Sequence, residues 1–148
     1  MKKEFRKAVF VIVYSKNKEK KFEYVVLKRK KHWKGREFVK GEIEKGEKKI
    51  DTAKRETKEE TGLKILKIKK FDISGKYRYQ HEFKDRPGII GQTFDLFAVE
   101  VTKGKIRINQ KEHYSGEWLS FKKALKKFTW PNQRRCLRIV NKWVNQKK

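Results

Sequence analysis

The sequence has little of several features that mark particular protein classes: it contains one cysteine, two prolines and no hydrophobic run long enough to cross a membrane. The single thiol, Cys136, excludes an internal disulfide, and because Leu137 and Ile139 lie beside it we expect it to be buried. The absence of repeats and low-complexity tracts predicts one domain over residues 1–148. The first residues are too charged for a secretory signal, so we expect a soluble cytoplasmic protein without a membrane partner.

Acidic residues are also scarce, because 18 Asp and Glu stand against 43 Lys and Arg and the net charge is +25. Seven of these acidic residues fall between Glu42 and Glu60, so negative charge is concentrated in one short stretch. The basic residues are spread along the whole chain. Such a field attracts polyanions, RNA among them. The alternative is a lysine-rich composition typical of a hot habitat.

The acidic stretch lies within residues 41–63, where glycines, glutamates and one arginine recur at fixed spacing. A helix advances about 100° per residue, so Glu56, Glu59 and Glu60 fall within an arc of about 100° and their carboxylates converge. Carboxylates this close repel one another, and ligand sets made only of oxygen select hard cations such as Mg²⁺. The alternative is a solvated acidic helix face with neighbouring lysines as partners.

This pattern resembles the signature motif of the Nudix hydrolases, which hydrolyse a nucleoside diphosphate linked to another group. The matching positions are Gly41, Glu47, Arg55, Glu56, Glu59, Glu60, Gly62 and Leu63. Thr57 stands where a larger aliphatic residue is usual. The resemblance implies that Glu56, Glu59 and Glu60 bind Mg²⁺, or Mn²⁺, with the backbone carbonyl of Gly41 as a further ligand. It also implies that the metal acidifies a water that attacks phosphorus.

Four residues are candidates for the catalytic roles that the resemblance implies. The general base is Glu59 or Glu60, or else Glu112 outside the motif, for which the alternative is a surface acid in a loop. Arg55 is expected to orient the preceding loop by pairing with Glu47. A plain salt bridge on the helix surface is the alternative for that arginine.

The segments around the motif narrow the resemblance to one group within the Nudix hydrolases. Residues 37–47 and 117–133 look like the corresponding parts of diadenosine tetraphosphate hydrolases, although Val39 stands where that group has proline. A lysine beside the motif reaches the phosphate chain in that group, which implies this role for Lys40. Aromatic side chains stack on adenine there, and stacking is tolerant of base identity. The stacking candidates are Tyr77, Tyr79 and Trp130, whose alternatives are ordinary strand residues and a helix-entry contact.

We therefore expect a metal-dependent pyrophosphohydrolase whose best substrate class is a dinucleoside polyphosphate such as diadenosine tetraphosphate. One alternative keeps the chemistry and takes the 5′ end of RNA, and another takes oxidised deoxynucleoside triphosphates or ADP-ribose. A third alternative is a non-catalytic nucleic-acid-binding domain. The loss of motif glutamates would favour that alternative, but all of the motif glutamates are present. His32, His81 and His113 are too scattered along the chain to indicate a zinc site.

The expected fold is an α/β/α sandwich of the Nudix type, with a mixed sheet and helices on both faces. Hydrophobic patterning predicts strands over residues 5–14, 22–30, 63–73, 76–83, 91–101 and 117–120, and residues 35–40 are expected to form a short extended segment. It predicts helices over residues 48–61, 120–127 and 131–143, the second of them capped by Ser120. Gly62 should end the first helix in a left-handed conformation. The sheet-facing side of that helix is predicted to be Ile50, Ala53, Thr57 and Thr61.

Overall fold

The computed structural model describes residues 3–146, which form seven strands and three helices. In chain order these are β1 (Glu4–Lys16), β2 (Phe22–Arg29), β3 (Gly35–Glu37), β4 (Val39–Glu42), α1 (Lys49–Thr61), β5 (Ile65–Arg78), β6 (Ile89–Val101), β7 (His113–Ser120), α2 (Phe121–Lys127) and α3 (Pro131–Gln146).

All seven strands belong to one mixed sheet. Its main path runs β3-β2-β1-β6-β5, with β4 paired to β1 and β7 paired to β2. Strands β1 and β6 run parallel, with Phe10 opposite Leu96. The other strand pairs are antiparallel. The long connection between β1 and β6 carries α1 across the sheet, as parallel pairing requires.

Two hydrophobic layers cover the two faces of the sheet, because successive side chains of a strand point to opposite sides. In β1, Phe10 and Ile12 pack into the layer that contains Cys136 and other buried residues of α2 and α3. Val9 and Val11 pack into the opposite layer with Ala53 of α1. The predicted α/β/α sandwich is therefore confirmed, and the thiol of Cys136 is buried as expected.

Helix α1 buries threonines where a hydrophobic side chain would be ordinary. The hydroxyl of Thr57 donates to the carbonyl of Ala53 at 2.7 Å, and that of Thr61 donates to the carbonyl of Thr57 at 2.6 Å. These bonds satisfy both hydroxyls inside the helix, which explains how a polar residue is tolerated at position 57. Gly62 ends the helix with φ 68°, and its N–H donates to the carbonyl of Lys58.

Two predictions about local structure are wrong. Ile50 is 41% exposed, and Thr52 takes its place in the buried face because the Thr52 hydroxyl donates to Glu47. The two strands predicted over residues 63–73 and 76–83 are the single strand β5, which passes through an irregularity between Lys70 and Ser74 and ends at Arg78. A bulge of this kind bends a strand without ending it.

The long strand β5 forms one edge of the sheet, and Lys67, Lys69 and Lys70 on it are exposed. Lysines are a common protection of an edge strand against pairing with another chain. Within residues 3–146, no helix has both the length and the apolar character needed to cross a bilayer.

Candidate active site

A hydrogen-bonded clamp fastens the loop before α1 to the helix. The carboxylate of Glu47 accepts from Arg55 Nε at 2.9 Å and Nη2 at 3.1 Å, and from the hydroxyl of Thr52 at 2.7 Å. Arg55 Nη2 also donates to the carbonyl of Glu42 at 3.0 Å. The hydrogen bonds from Arg55 and Thr52 lower the pKa of Glu47 to about 2. The expected pairing of Arg55 with Glu47 is thus present, and it joins the loop to the helix that carries the motif glutamates.

The three motif glutamates differ in exposure although they share one helix. Glu60 is 2% exposed and Glu56 is 8% exposed, whereas Glu59 lies at the surface. Arg55 Nη1 donates to Glu56 Oε1 at 2.7 Å and to Glu59 Oε2 at 3.4 Å. Burial raises the pKa of Glu56 to about 7, against the opposing effect of Arg55. Burial also raises the pKa of Glu60 well above its ordinary value, and the nearby Glu37 and Glu56 add to that rise.

Gly41 on β4 lies directly against the side chain of Glu56. A Cβ built at position 41 would overlap the carboxyl group of Glu56, so no larger residue fits without movement. This contact accounts for the glycine in physical terms, because only a residue without a side chain lets the β4 backbone approach the carboxylate so closely.

Glu112 comes from a distant part of the chain to the same place. It is half-buried just before β7, and Glu60, Glu112 and His113 each offer one ligand atom, all within 4.8 Å of one another. The carboxyl group of Glu60, which holds its proton more tightly than usual, donates a hydrogen bond to the carboxylate of Glu112. Burial would raise the pKa of Glu112, but this bond and the charge of Arg29 hold it below its ordinary value. Glu112 is therefore more than a surface acid of a loop.

These carboxylates fit a divalent cation. One oxygen of Glu60, Oε2, is buried and has no hydrogen-bond partner among the described residues. A buried and unpartnered carboxylate oxygen is costly, and a cation bound by several carboxylates removes that cost. Burial raises the pKa values of Glu56 and Glu60, and repulsion from the neighbouring carboxylates adds to the rise, which is the environment that a bound cation would relieve.

A buried ionic junction centred on Glu37 lies behind the acidic group, and it was not predicted from the sequence. Glu37 is 0% exposed, and its Oε2 accepts from Arg29 Nη1 at 2.8 Å and lies 2.7 Å from His113 Nε2. Its Oε1 lies 3.3 Å from Lys40 Nζ. Burial alone would raise the pKa of Glu37, but Lys40, His113 and Arg29 together hold it far below its ordinary value. The only sequence signal was a charged residue directly before Phe38 and Val39.

A cavity of about 430 Å³ opens next to this junction. Lys40, Tyr77, Tyr79 and Trp130, the four predicted substrate-binding residues, all line it. The other lining residues are His32, Trp33, Arg78, Gln80, His81, Phe83, Arg86, Gln92, Pro131 and Asn132.

The cavity combines aromatic walls with cations that have lost part of their solvent. The rings of Trp33 and Trp130 meet edge to face with centroids 5.5 Å apart, and Lys40 Nζ lies 5.4 Å from the Trp33 ring centroid. Burial lowers the pKa of Lys40 and of Arg86, since desolvation disfavours a positive charge. A bound anion would compensate these cations for the solvation that burial removes, and the aromatic walls offer flat surfaces for stacking. The cavity therefore suits a phosphate-bearing ligand with a flat ring.

The alternatives stated for the aromatic residues also find support in the structure. Tyr77 packs against the core layer that contains Phe10, and the hydroxyl of Tyr79 donates to Gln92 Oε1 at 3.0 Å. The carbonyl of Trp130 accepts from the backbone N–H groups of Gln133 and Arg134 at the start of α3. These residues therefore have structural contacts in addition to their place in the cavity wall.

The comparisons with known proteins agree with this fold. The family profile of the NUDIX domain matches residues 4–138. A Caenorhabditis elegans Ap4A hydrolase, solved as a binary complex, superposes with a TM-score of 0.76 at 20% identity, covering 95% of this chain and 98% of that one. The Escherichia coli dihydroneopterin triphosphate pyrophosphohydrolase gives a TM-score of 0.71 at 19% identity, covering 91% of this chain and 95% of that one.

A third similar structure is the NUDIX domain of Shewanella oneidensis NrtR in complex with ADP ribose. It gives a TM-score of 0.77 at 10% identity, covering 96% of this chain and 90% of that one. No curated protein matches the chain significantly in sequence. The chain belongs to the NUDIX family, and it is a hydrolase that acts on phosphoric anhydride bonds.

Proposed function

We propose that the protein is a metal-dependent pyrophosphohydrolase of nucleoside polyphosphates, and that its preferred substrate is a dinucleoside polyphosphate such as diadenosine tetraphosphate. The observation that carries this proposal is the cavity beside the Glu37 junction, because it offers aromatic surfaces and desolvated cations within one space. The fold shared with the C. elegans Ap4A hydrolase supports the choice.

Glu56, Glu59, Glu60 and the backbone carbonyl of Gly41 would hold Mg²⁺, or Mn²⁺. A cation held there would offset the charge of the phosphate chain and would lower the pKa of the attacking water. Arg55 keeps Glu56 and Glu59 in position through the bonds from its Nη1, and it fixes the loop through Glu47. Glu112 would accept the proton of the attacking water, since Glu59 is held by Arg55 and Glu60 serves as a ligand.

Lys40 would contact the phosphate chain. Its ammonium group lies at the border between the Glu37 junction and the cavity, and it is paired with Glu37 Oε1 at 3.3 Å. Trp130, with Tyr77 and Tyr79, would contact the base. Stacking of a base on an aromatic ring contributes about 1–3 kcal/mol, enough to favour a nucleotide over inorganic polyphosphate.

The experiment is hydrolysis of a substrate panel in the presence of Mg²⁺, with products identified by mass spectrometry. The panel contains diadenosine tetraphosphate, ADP-ribose, an oxidised deoxynucleoside triphosphate and a 5′-triphosphorylated RNA. The proposal expects the highest kcat/KM with the dinucleotide. A higher kcat/KM with ADP-ribose or with the oxidised nucleotide would transfer the assignment to that substrate.

A 5′-triphosphorylated RNA is the second candidate, and one observation favours it. Arg78 lines the cavity at the end of β5, and the exposed Lys67, Lys69 and Lys70 lie further along the same edge strand. An RNA strand whose 5′ end entered the cavity could follow these cations. Charge reversal at Lys67 and Lys70 should then weaken RNA hydrolysis and its dependence on salt. Each phosphate contact that is lost reduces the number of counterions released when the RNA binds.

The matched control is charge reversal at Lys122 and Lys126, which are exposed on α2. That helix packs on β2 and β7, toward the other end of the sheet. Both double variants change the net charge equally, so a general field effect would alter them alike. A loss confined to the β5 variant would favour RNA over the dinucleotide.

A further inference from the structure

The acidic group contains an imidazole as well as carboxylates. His113 is 1% exposed at the start of β7, and one of its ring nitrogens lies within 4.8 Å of a carboxylate oxygen of Glu60 and one of Glu112. Strand β2 lies beside His113 in the sheet, with Arg29 as the residue opposite. A nitrogen donor is thus built into a site that the sequence motif describes by oxygen ligands alone.

The hydrogen bond to Glu37 fixes which nitrogen of the neutral ring carries the proton. Glu37 also contacts Arg29 at 2.8 Å and Lys40 at 3.3 Å, so it is a carboxylate with two cationic partners and it accepts hydrogen bonds. The Nε2 of His113, 2.7 Å from Glu37 Oε2, therefore carries the proton and donates it. In the neutral ring, the other nitrogen, Nδ1, is left with a free lone pair.

That nitrogen is buried and has no hydrogen-bond partner among residues 3–146. The Oε2 of Glu60 is in the same condition. Two unpartnered buried acceptors in one group are unfavourable, and a single cation removes the cost of both. A metal-binding histidine usually donates its one N–H to a carboxylate while its other nitrogen binds the metal, because the carboxylate fixes the tautomer and the ring orientation.

We propose that His113 is a ligand of the divalent cation in the acidic site, held in place by Glu37 and joined there by Glu60. This inference rests on the proposed metal-dependent function. Imidazole suits transition metals, whereas Mg²⁺ prefers oxygen ligands. The site therefore binds Mn²⁺ in preference to Mg²⁺, and His113 is the residue that creates the preference.

The test is pulsed electron paramagnetic resonance of the full chain loaded with Mn²⁺. A directly bound imidazole gives a nitrogen hyperfine coupling, and carboxylates and water give none. We expect the coupling in the wild type and in His81→Gln, whose histidine is exposed in the cavity wall, and no coupling in His113→Gln. Calorimetry should show Mn²⁺ affinity at least about 10-fold lower in His113→Gln. Mg²⁺ affinity should change much less.

The wild-type spectrum decides the matter even where His113→Gln does not fold. Bound Mn²⁺ without a nitrogen coupling in the wild type overturns the assignment of His113 and leaves the carboxylate site standing. A wild type that binds no Mn²⁺ overturns both this inference and the metal site on which it rests. A coupling that persists in folded His113→Gln also contradicts it, because the nitrogen would then come from another residue.

Discussion

Replacing Glu56 by Gln should stabilise the metal-free protein above neutral pH. The pKa of Glu56 is raised from 4.5 to about 7 in the folded chain, chiefly by burial. The folded state therefore binds a proton more tightly than the unfolded state, and the wild type loses stability as the pH rises from about 4.5 to 7. A shift of this size corresponds to roughly 3 kcal/mol, since one pKa unit is 1.36 kcal/mol. Glutamine retains the shape and avoids the titration.

The assay is thermal unfolding in a chelator at pH 5 and at pH 8. We expect Glu56→Gln to melt roughly 6–12 °C above the wild type at pH 8, and to lose most of this advantage at pH 5. Glu59→Gln is the matched control, because Glu59 is exposed on the same helix and its replacement should change stability little. An advantage of Glu56→Gln that is equal at both pH values, or absent at pH 8, would refute the reasoning.

Three further outcomes follow from the same geometry. Lys40→Ala should reduce kcat/KM on diadenosine tetraphosphate by at least about 10-fold in steady-state kinetics, because it removes a charged contact. Lys45→Ala, in the exposed loop, should leave kcat/KM unchanged. Gly41→Ala should lower both activity and melting temperature, because its methyl group would displace Glu56. Millimolar Mg²⁺ should raise the melting temperature of the wild type by mass action, and the same ionic strength of NaCl should not.

The parts of the site that are local in the chain could be predicted from the sequence. Glu56, Glu59 and Glu60 are placed by the geometry of one helix, and Gly62 ends that helix because it adopts a positive φ. Ser120 likewise caps α2, where its side chain accepts from the N–H of Lys123. Each of these features depends on residues a few positions apart, so spacing alone is sufficient.

The parts that depend on strand pairing could not be predicted in this way. Glu37 meets His113 across 76 positions of sequence, and each lies on a different strand beside β2. The contact between Trp33 and Trp130 in the cavity wall joins residues that are even further apart in the chain. The pairing partner of each strand is not readable from its own hydrophobic pattern, so neither contact had a signal in the sequence.

The predicted break between two strands, where the structure has the single strand β5, was wrong for a related reason. Ser74 and Gly75 indicate a break by composition, but Ser74 is paired with Asp95 and Gly75 with Phe94 on β6. A Cβ at Gly75 would come 2.5 Å from the Phe94 ring, so the glycine serves close packing there and not a turn. Tertiary pairing therefore outweighed the local preference.

The most direct test of the account is the turnover of diadenosine tetraphosphate by folded Glu60→Gln, measured beside the wild type with Mg²⁺ and with a chelator. The account predicts wild-type hydrolysis that stops in chelator and returns with Mg²⁺ or Mn²⁺. It predicts that Glu60→Gln, with an unchanged circular dichroism spectrum, loses several orders of magnitude in kcat. Turnover of the wild type that persists in chelator, or near-normal turnover by the folded variant, would contradict the assignment of the acidic group as the catalytic metal site.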